Sequence, residues 1–126
     1  MRIIQTRATE MARELGWIGV DLDGTLAKYQ GWQGSDHIGE PVPTMLFRVR
    51  KWIASGQRVK IFTARADDKV AVKAITEWLV KHGIGGLEIT NVKDYAMTQL
   101  WDDRAIQVVE NTGMPIEEFL KNGGQL

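Results

Sequence analysis

Three short apolar runs, each broken by an oxygen-bearing side chain, constrain this chain most. Trp17-Ile18-Gly19-Val20 stops at Asp21, Val59-Lys60-Ile61-Phe62 stops at Thr63, and Gln99-Leu100-Trp101 stops at Asp102-Asp103. A run that is apolar on both faces suits a strand buried in a parallel sheet. Parallel strands need crossover connections, and the sequence between these runs carries the helical period. Met45, Leu46, Val49, Trp52 and Ile53 make one helical stripe, closed by Gly56. Val70, Ala71, Ala74, Ile75, Trp78 and Leu79 make a second, capped by Asp67 or Asp68 and ended by Gly83. Ile4, Ala8, Met11, Ala12 and Leu15 predict a helix ahead of the first strand, stopped by Gly16. Leu87–Thr90 reads as a short strand, Tyr95-Ala96-Met97 as a helical turn, and Ile106–Val109 as a last strand. Pro115, Ile116, Phe119 and Leu120 predict a terminal helix.

This alternation predicts an α/β fold, a three-layer Rossmann-like open parallel sheet with helices on both faces. The 126 residues suit one domain over 1–126. A chain of this length buries roughly two thirds of its unfolded surface, so it needs no covalent staple. Cysteine is absent, which excludes disulfides, thiolate zinc sites and thiol nucleophiles. Sixteen Lys and Arg balance sixteen Asp and Glu, which argues against a protein that coats nucleic acid. No apolar run approaches the ~20 residues that span a bilayer, and the first residues lack a signal core. The expectation is a cytoplasmic protein with no membrane contact. The five Trp serve a core or the interface of a homo-oligomer equally well.

In open parallel sheets, ligands bind beyond the carboxyl ends of the strands. That rule brings Asp21, Thr63, Asp102 and Asp103 to one rim, with Lys93 shortly before the last pair. Converging carboxylates repel one another until a cation resolves them. Carboxylate and carbonyl oxygens are hard ligands and suit Mg²⁺. A hydroxyl, an ammonium and a helix N-terminus after Thr63 hold phosphate oxygens. A carboxylate nucleophile, a metal and an anion cradle are the parts phosphoryl transfer needs.

Asp21-Leu22-Asp23-Gly24-Thr25-Leu26 after an apolar strand resembles the signature of the haloacid dehalogenase (HAD) superfamily, most of whose members are phosphatases. Thr63, Lys93 and the pair Asp102-Asp103, followed by Arg104-Ala105, resemble its later motifs in order and spacing, from about Trp17 to Val109. The resemblance implies that Asp21 attacks phosphorus and forms an aspartyl-phosphate. Asp23 would protonate the leaving oxygen and then activate water. Thr63 would hold a phosphoryl oxygen, and Lys93 would offset charge. Gly24, Thr25, Ala64, Arg65 and Trp32 are the expected substrate contacts. Mg²⁺ would sit on Asp21, Asp102, Asp103 and the Asp23 backbone carbonyl, with Asp103 either a direct ligand or an acceptor that orients metal-bound water. An acid at position 23 favours phosphatase chemistry.

The segment from Ala27 to Pro43 is irregular, and neither it nor the stretch between Thr63 and Lys93 holds a separate cap domain. The site should be open, and the resemblance then implies a large phosphorylated substrate, a macromolecular end or a partner lid. Lys28-Tyr29-Gln30-Gly31-Trp32-Gln33 could form a flap that sets substrate preference. His37 reads as a solvated loop residue and His82 as a complement to a helix dipole. Asp103 and Arg104 are equally well placed for a structural ion pair.

Other readings compete. A calcium loop starting at Asp21 needs Gly at its sixth position and Glu at its twelfth, where Leu26 and Trp32 stand. A receiver module places its acid pair on the first strand and its phosphoacceptor later, the reverse of the order here. A polynucleotide or nucleotide end phosphatase fits the missing cap, but neutral net charge lends it little. A non-catalytic scaffold that binds phosphate or metal is the remaining alternative.

Overall fold

The computed structural model of the protein describes residues 16–126, so the helix expected over Ile4–Leu15 lies outside them. Four strands, β1 (Trp17–Val20), β2 (Arg58–Phe62), β3 (Glu88–Thr90) and β4 (Met97–Trp101), form one all-parallel sheet in the order β3-β2-β1-β4. Helix α1 (Pro43–Ala54) links β1 to β2. A 3₁₀ turn (Ala64–Asp67) and helix α2 (Lys69–Lys81) link β2 to β3, and α3 (Ile116–Lys121) follows β4. This is an α/β, Rossmann-like open sheet. Only loops and these helices connect the described strands, and no cap domain stands among them. No helix of the described residues is long and apolar enough to cross a membrane.

Strand periodicity sorts the side chains. Ile18 and Val20 lie in register with Val59 and Ile61, and all four are buried on one face. Met45, Leu46 and Val49 of α1 and Ala71, Ile75, Trp78 and Leu79 of α2 join the same apolar cluster. Each Val, Leu, Ile or Met side chain among them contributes roughly 1.5–3 kcal/mol on burial, before conformational entropy is charged against it. Gly19 points to the other face. A Cβ there would meet Met97, Trp17 and Leu100 at 3.0, 3.2 and 3.3 Å. Lys60 lies on that side too, with Nζ 4.4 Å from the Trp17 ring centre and 2.9 Å from Glu88.

Several local expectations are corrected. The α2 stripe starts at Ala71, because Val70 sits in the first turn and points to solvent. Asp68 caps that helix, accepting the N–H groups of Val70 and Ala71 at 2.9 and 3.2 Å. Tyr95-Ala96 is a turn, but Met97 already belongs to β4. Ile106–Val109 is not a strand. Only Val108 makes a bridge, to Pro115, and among the described residues no element packs over Ile106 and Val108, which are exposed.

One irregularity positions the site. β4 pairs Met97 with Trp17 but Gln99 with Ile18, so Thr98 is an extra residue in a bulge. The slip places Trp101 beside Val20, and the Asp21 N–H donates to the Trp101 carbonyl at 2.9 Å. Asp102 consequently follows its strand level with Asp21.

Candidate active site

Asp21 leaves β1 into a loop that bonds to itself. The Leu22 carbonyl accepts the N–H groups of Thr25, Leu26 and Ala27, and the Gly24 N–H donates to the Ala27 carbonyl. Leu22, Leu26 and Ala27 are fully buried and anchor the loop in the core, which turns Asp21 and Asp23 outward. Gly24 takes φ +89, a value L side chains rarely adopt.

Asp21, Asp102 and Asp103 converge so that one oxygen from each lies within 4.8 Å of the others. The Thr25 hydroxyl joins them, 3.3 Å from an Asp21 oxygen and 3.4 Å from an Asp103 oxygen, and it accepts the Asp103 N–H at 3.0 Å. Burial pushes the Asp21 carboxyl up to about 7, reinforced by its hydrogen bond with Asp103 and the charges of Asp102 and Asp103. The Thr25 hydroxyl acts in the opposite direction. Three hard oxygen donors in mutual repulsion fit a divalent cation, which would remove the repulsion it meets. Asp102 also accepts the Arg104 N–H at 2.7 Å, which fixes the turn after β4.

Trp101, just before Asp102, is held from the core side. Trp52 meets it edge-on with ring centres 5.2 Å apart, and the Arg48 guanidinium lies 4.8 Å from its ring centre. The acid pair is thus mounted on a packed strand end.

Beside the acids opens a cleft of about 240 Å³, lined by Asp21, Asp23, Thr63, Ala64 and Arg65, and by Tyr29, Trp32, Asp103 and Arg104. Thr63 is buried, and its hydroxyl accepts the Arg65 N–H at 3.2 Å, capping the 3₁₀ turn. The helical N-terminus expected after Thr63 is that of the 3₁₀ turn, while α2 begins at Lys69 with its first N–H groups taken by Asp68. Asp68 lies below its usual carboxylate range, held there by the Ser35 hydroxyl and the Ala71 and Val70 N–H groups.

Asp23 stands apart from the acid cluster. Arg65 grips it with Nε and Nη2 at 3.0 and 2.9 Å. Arg65 Nη1 also donates to the Ser35 and His37 carbonyls at 3.1 and 2.8 Å. The loop between β1 and α1 therefore folds over the cleft. Its base is closed by Lys28 N–H to the Glu40 carbonyl at 2.8 Å, Val42 N–H to the Leu26 carbonyl at 2.8 Å, and the Trp78 indole to the Gly39 carbonyl at 3.0 Å.

The structure thus brings Asp21, Asp23, Thr63, Ala64, Arg65 and Trp32 to one cleft, and gathers Asp102 and Asp103 with Asp21. Gly24 and Thr25 lie on its acidic side, where Thr25 serves the carboxylates. Lys93 is not brought there. It is exposed and lines a separate depression with Phe62, Met97 and Leu100. The neighbouring Asp94 accepts the Trp17 indole N–H at 2.8 Å, and this bond heads the interactions that keep its carboxyl below the usual range. His37 contributes only its carbonyl near the cleft, and His82 packs on Trp78 with ring centres 4.6 Å apart. Arg104 lines the cleft and forms no ion pair with Asp103 among the described residues. Sequence reasoning missed the Arg65–Asp23 pair and its hold on the loop, because 42 residues separate the partners and two of the acceptors are backbone carbonyls.

No family model and no curated protein matches the chain. A solved structure of a conserved protein from Bacteroides thetaiotaomicron is similar, with a TM-score of 0.57 and 21% identity. The match covers 87% of this chain and 93% of that one. That likeness is one of fold.

Proposed function

We propose that this chain is a Mg²⁺-dependent phosphomonoester hydrolase of the HAD type. The observation that carries the reading is the convergence of Asp21, Asp102 and Asp103 beside a cleft that also holds Asp23 and Thr63. A metal held by the three carboxylates, with the Asp23 carbonyl as a further candidate ligand, would supply electrostatic stabilisation of phosphoryl charge. In the proposed reaction an Asp21 oxygen attacks phosphorus. The bond from phosphorus to the ester oxygen breaks, and its electron pair leaves with that oxygen, which takes a proton from Asp23. Asp23 then removes a proton from water as the water attacks the phosphorus of the Asp21 aspartyl-phosphate. Inorganic phosphate departs, and both carboxyl groups return to their starting states.

The Thr63 hydroxyl keeps its own proton for a phosphoryl oxygen while it caps the turn. Cationic charge at the cleft comes from Arg65 and Arg104, since Lys93 lines another depression. Tyr29 and Trp32 are exposed at the mouth and offer a planar group two aromatic surfaces. The reading therefore takes a phosphorylated substrate whose leaving group extends out of the cleft.

The test is phosphate release from an aryl phosphate and a broad phosphomonoester panel, with Mg²⁺ and with chelator. Expected is metal-dependent turnover that Asp21→Asn abolishes. Turnover unchanged by Asp21→Asn, or none on any panel member with Mg²⁺ bound, would reject this reading.

A further inference from the structure

Arg65 is engaged on three sides at once. Two of its donors hold both oxygens of Asp23 at 3.0 and 2.9 Å, and Nη1 spans the Ser35 and His37 carbonyls at 3.1 and 2.8 Å. Its Cζ stands 5.0 Å from the Trp32 ring centre, and only 9% of its side chain is exposed. One guanidinium therefore ties an acid of the cleft to the tip of the loop that covers it.

We propose that Arg65 is a positioning residue that the substrate's phosphate takes over. In the free protein it holds Asp23 and the loop tip together. With phosphate in the cleft, its fork turns to the phosphoryl oxygens, which releases the Asp23 carboxylate to take up from solvent the proton it then gives to the leaving oxygen, and unlatches the tip. This inference rests on the phosphatase reading above.

Three observations support the exchange. First, Arg65 occupies one acceptor site on each Asp23 oxygen and holds the carboxylate in its fork, so Asp23 is not free to turn toward a leaving group until that grip opens. Second, Arg65 lines the cleft beside Thr63 and Ala64, where a phosphate would compete for it. A phosphate dianion carries more charge than a carboxylate and matches the same planar fork. Third, the loop is held differently at its two ends. The base is closed by the Lys28–Glu40 and Leu26–Val42 backbone bonds and by the Trp78 indole on Gly39. The tip depends on Arg65, supported by the contact of the Ser35 hydroxyl with Asp68. Losing Arg65 should loosen the tip and leave the base closed.

The experiment is amide hydrogen exchange on the full chain at fixed Mg²⁺, with and without inorganic phosphate, for the native protein and Arg65→Lys. Lysine keeps the charge but loses the fork. In the native protein, saturating phosphate should speed exchange severalfold at the His37 amide, which donates to the Gly34 carbonyl at 3.3 Å in the tip, and leave α1 and β2 unchanged. In Arg65→Lys the tip should exchange fast without phosphate and show no further response. The variant should raise KM about tenfold while changing kcat far less, because phosphate loses its fork while Asp23 is already free. A role limited to holding the loop would produce no phosphate response. Phosphate bound, as shown by ³¹P line broadening, with an unmoved native tip would overturn the proposal, and so would an Arg65→Lys tip as protected as the native one. Turnover on the same preparations separates the two ideas. Turnover with an unmoved tip removes the exchange and leaves the phosphatase. A tip that opens to phosphate without turnover keeps the exchange and removes the phosphatase.

Discussion

Gly24 and Asp103 sit so close that a Cβ on Gly24 would stand 2.5 Å from an Asp103 carboxylate oxygen. The glycine is needed twice, for its φ of +89 and for this approach. Gly24→Ala should cost about 1–3 kcal/mol through backbone strain and displacement. It should also weaken Mg²⁺ binding by at least about tenfold, since Asp103 must move away from Asp21. Calorimetric titration of Mg²⁺ and thermal melting check the two effects separately. Native affinity in Gly24→Ala would disprove the coupling.

Metal-free stability should depend on pH with a definite sign. Asp21 rises from an ordinary 3.8 to about 7 in the fold, so the native state holds its proton over a range in which the unfolded chain has lost it. That contribution is fully present below pH ~4 and is lost as pH rises through about 7. Partial exposure reduces it to about 1–2 kcal/mol. Denaturant unfolding in chelator should show the decline, and Asp21→Asn should flatten it. Mg²⁺ should stabilise the protein more at pH 8 than at pH 5, because it competes with this proton.

Asp102→Asn should remove most of the Mg²⁺-induced rise in melting temperature, because it takes one of three charges from the cluster. The metal-free protein should become slightly more stable, since a repulsion with Asp21 is gone. Melting curves with Mg²⁺ and with chelator read both signs.

Leu22 lies between the two acids of the loop with no exposed surface. Leu22→Ala should cost about 2–5 kcal/mol by leaving a cavity under that loop. Trp32→Ala is the opposite case. Trp32 is 62% exposed, so stability should stay within about 0.5 kcal/mol while the ranking of substrates changes. An unchanged ranking across the phosphomonoester panel would remove the flap from substrate selection.

Strands β1 and β2 were legible because burial imposes an apolar run or a clean alternation, as at Val59 and Ile61. A cap at Asp67 or Asp68 was legible because a short acid before an apolar stripe has one common use, and the structure selects Asp68. β4 was harder. It is an edge strand of the described sheet, and Thr98 and Gln99 face solvent, so only its end at Leu100-Trp101 carried the apolar signal. Ile106 and Val108 misled for the opposite reason, being apolar where no element among the described residues buries them. The meeting of Asp21 with Asp102 and Asp103 followed from the rule for parallel strand ends. The grip of Arg65 on Asp23 followed from no local pattern, since it depends on how the covering loop folds back.

The bulge at Thr98 works like a reading frame for the acids. If Thr98 were paired with Ile18 in place of the bulge, Leu100 would stand beside Val20, and Asp102 would fall a full residue spacing beyond Asp21. Thr98 carries no group that the cleft uses, and deleting it would leave Gln99 beside Ile18 and the acids in phase, whereas losing a paired residue between Gln99 and Trp101 would throw the carboxylates out of phase and turn the last side chains of β4 onto opposite faces. Length changes between Gln99 and Trp101 should therefore be as damaging as replacing an acid. Extra residues in the covering loop, whose base is closed by backbone bonds, should cost only about 0.6 kcal/mol for each doubling of its length.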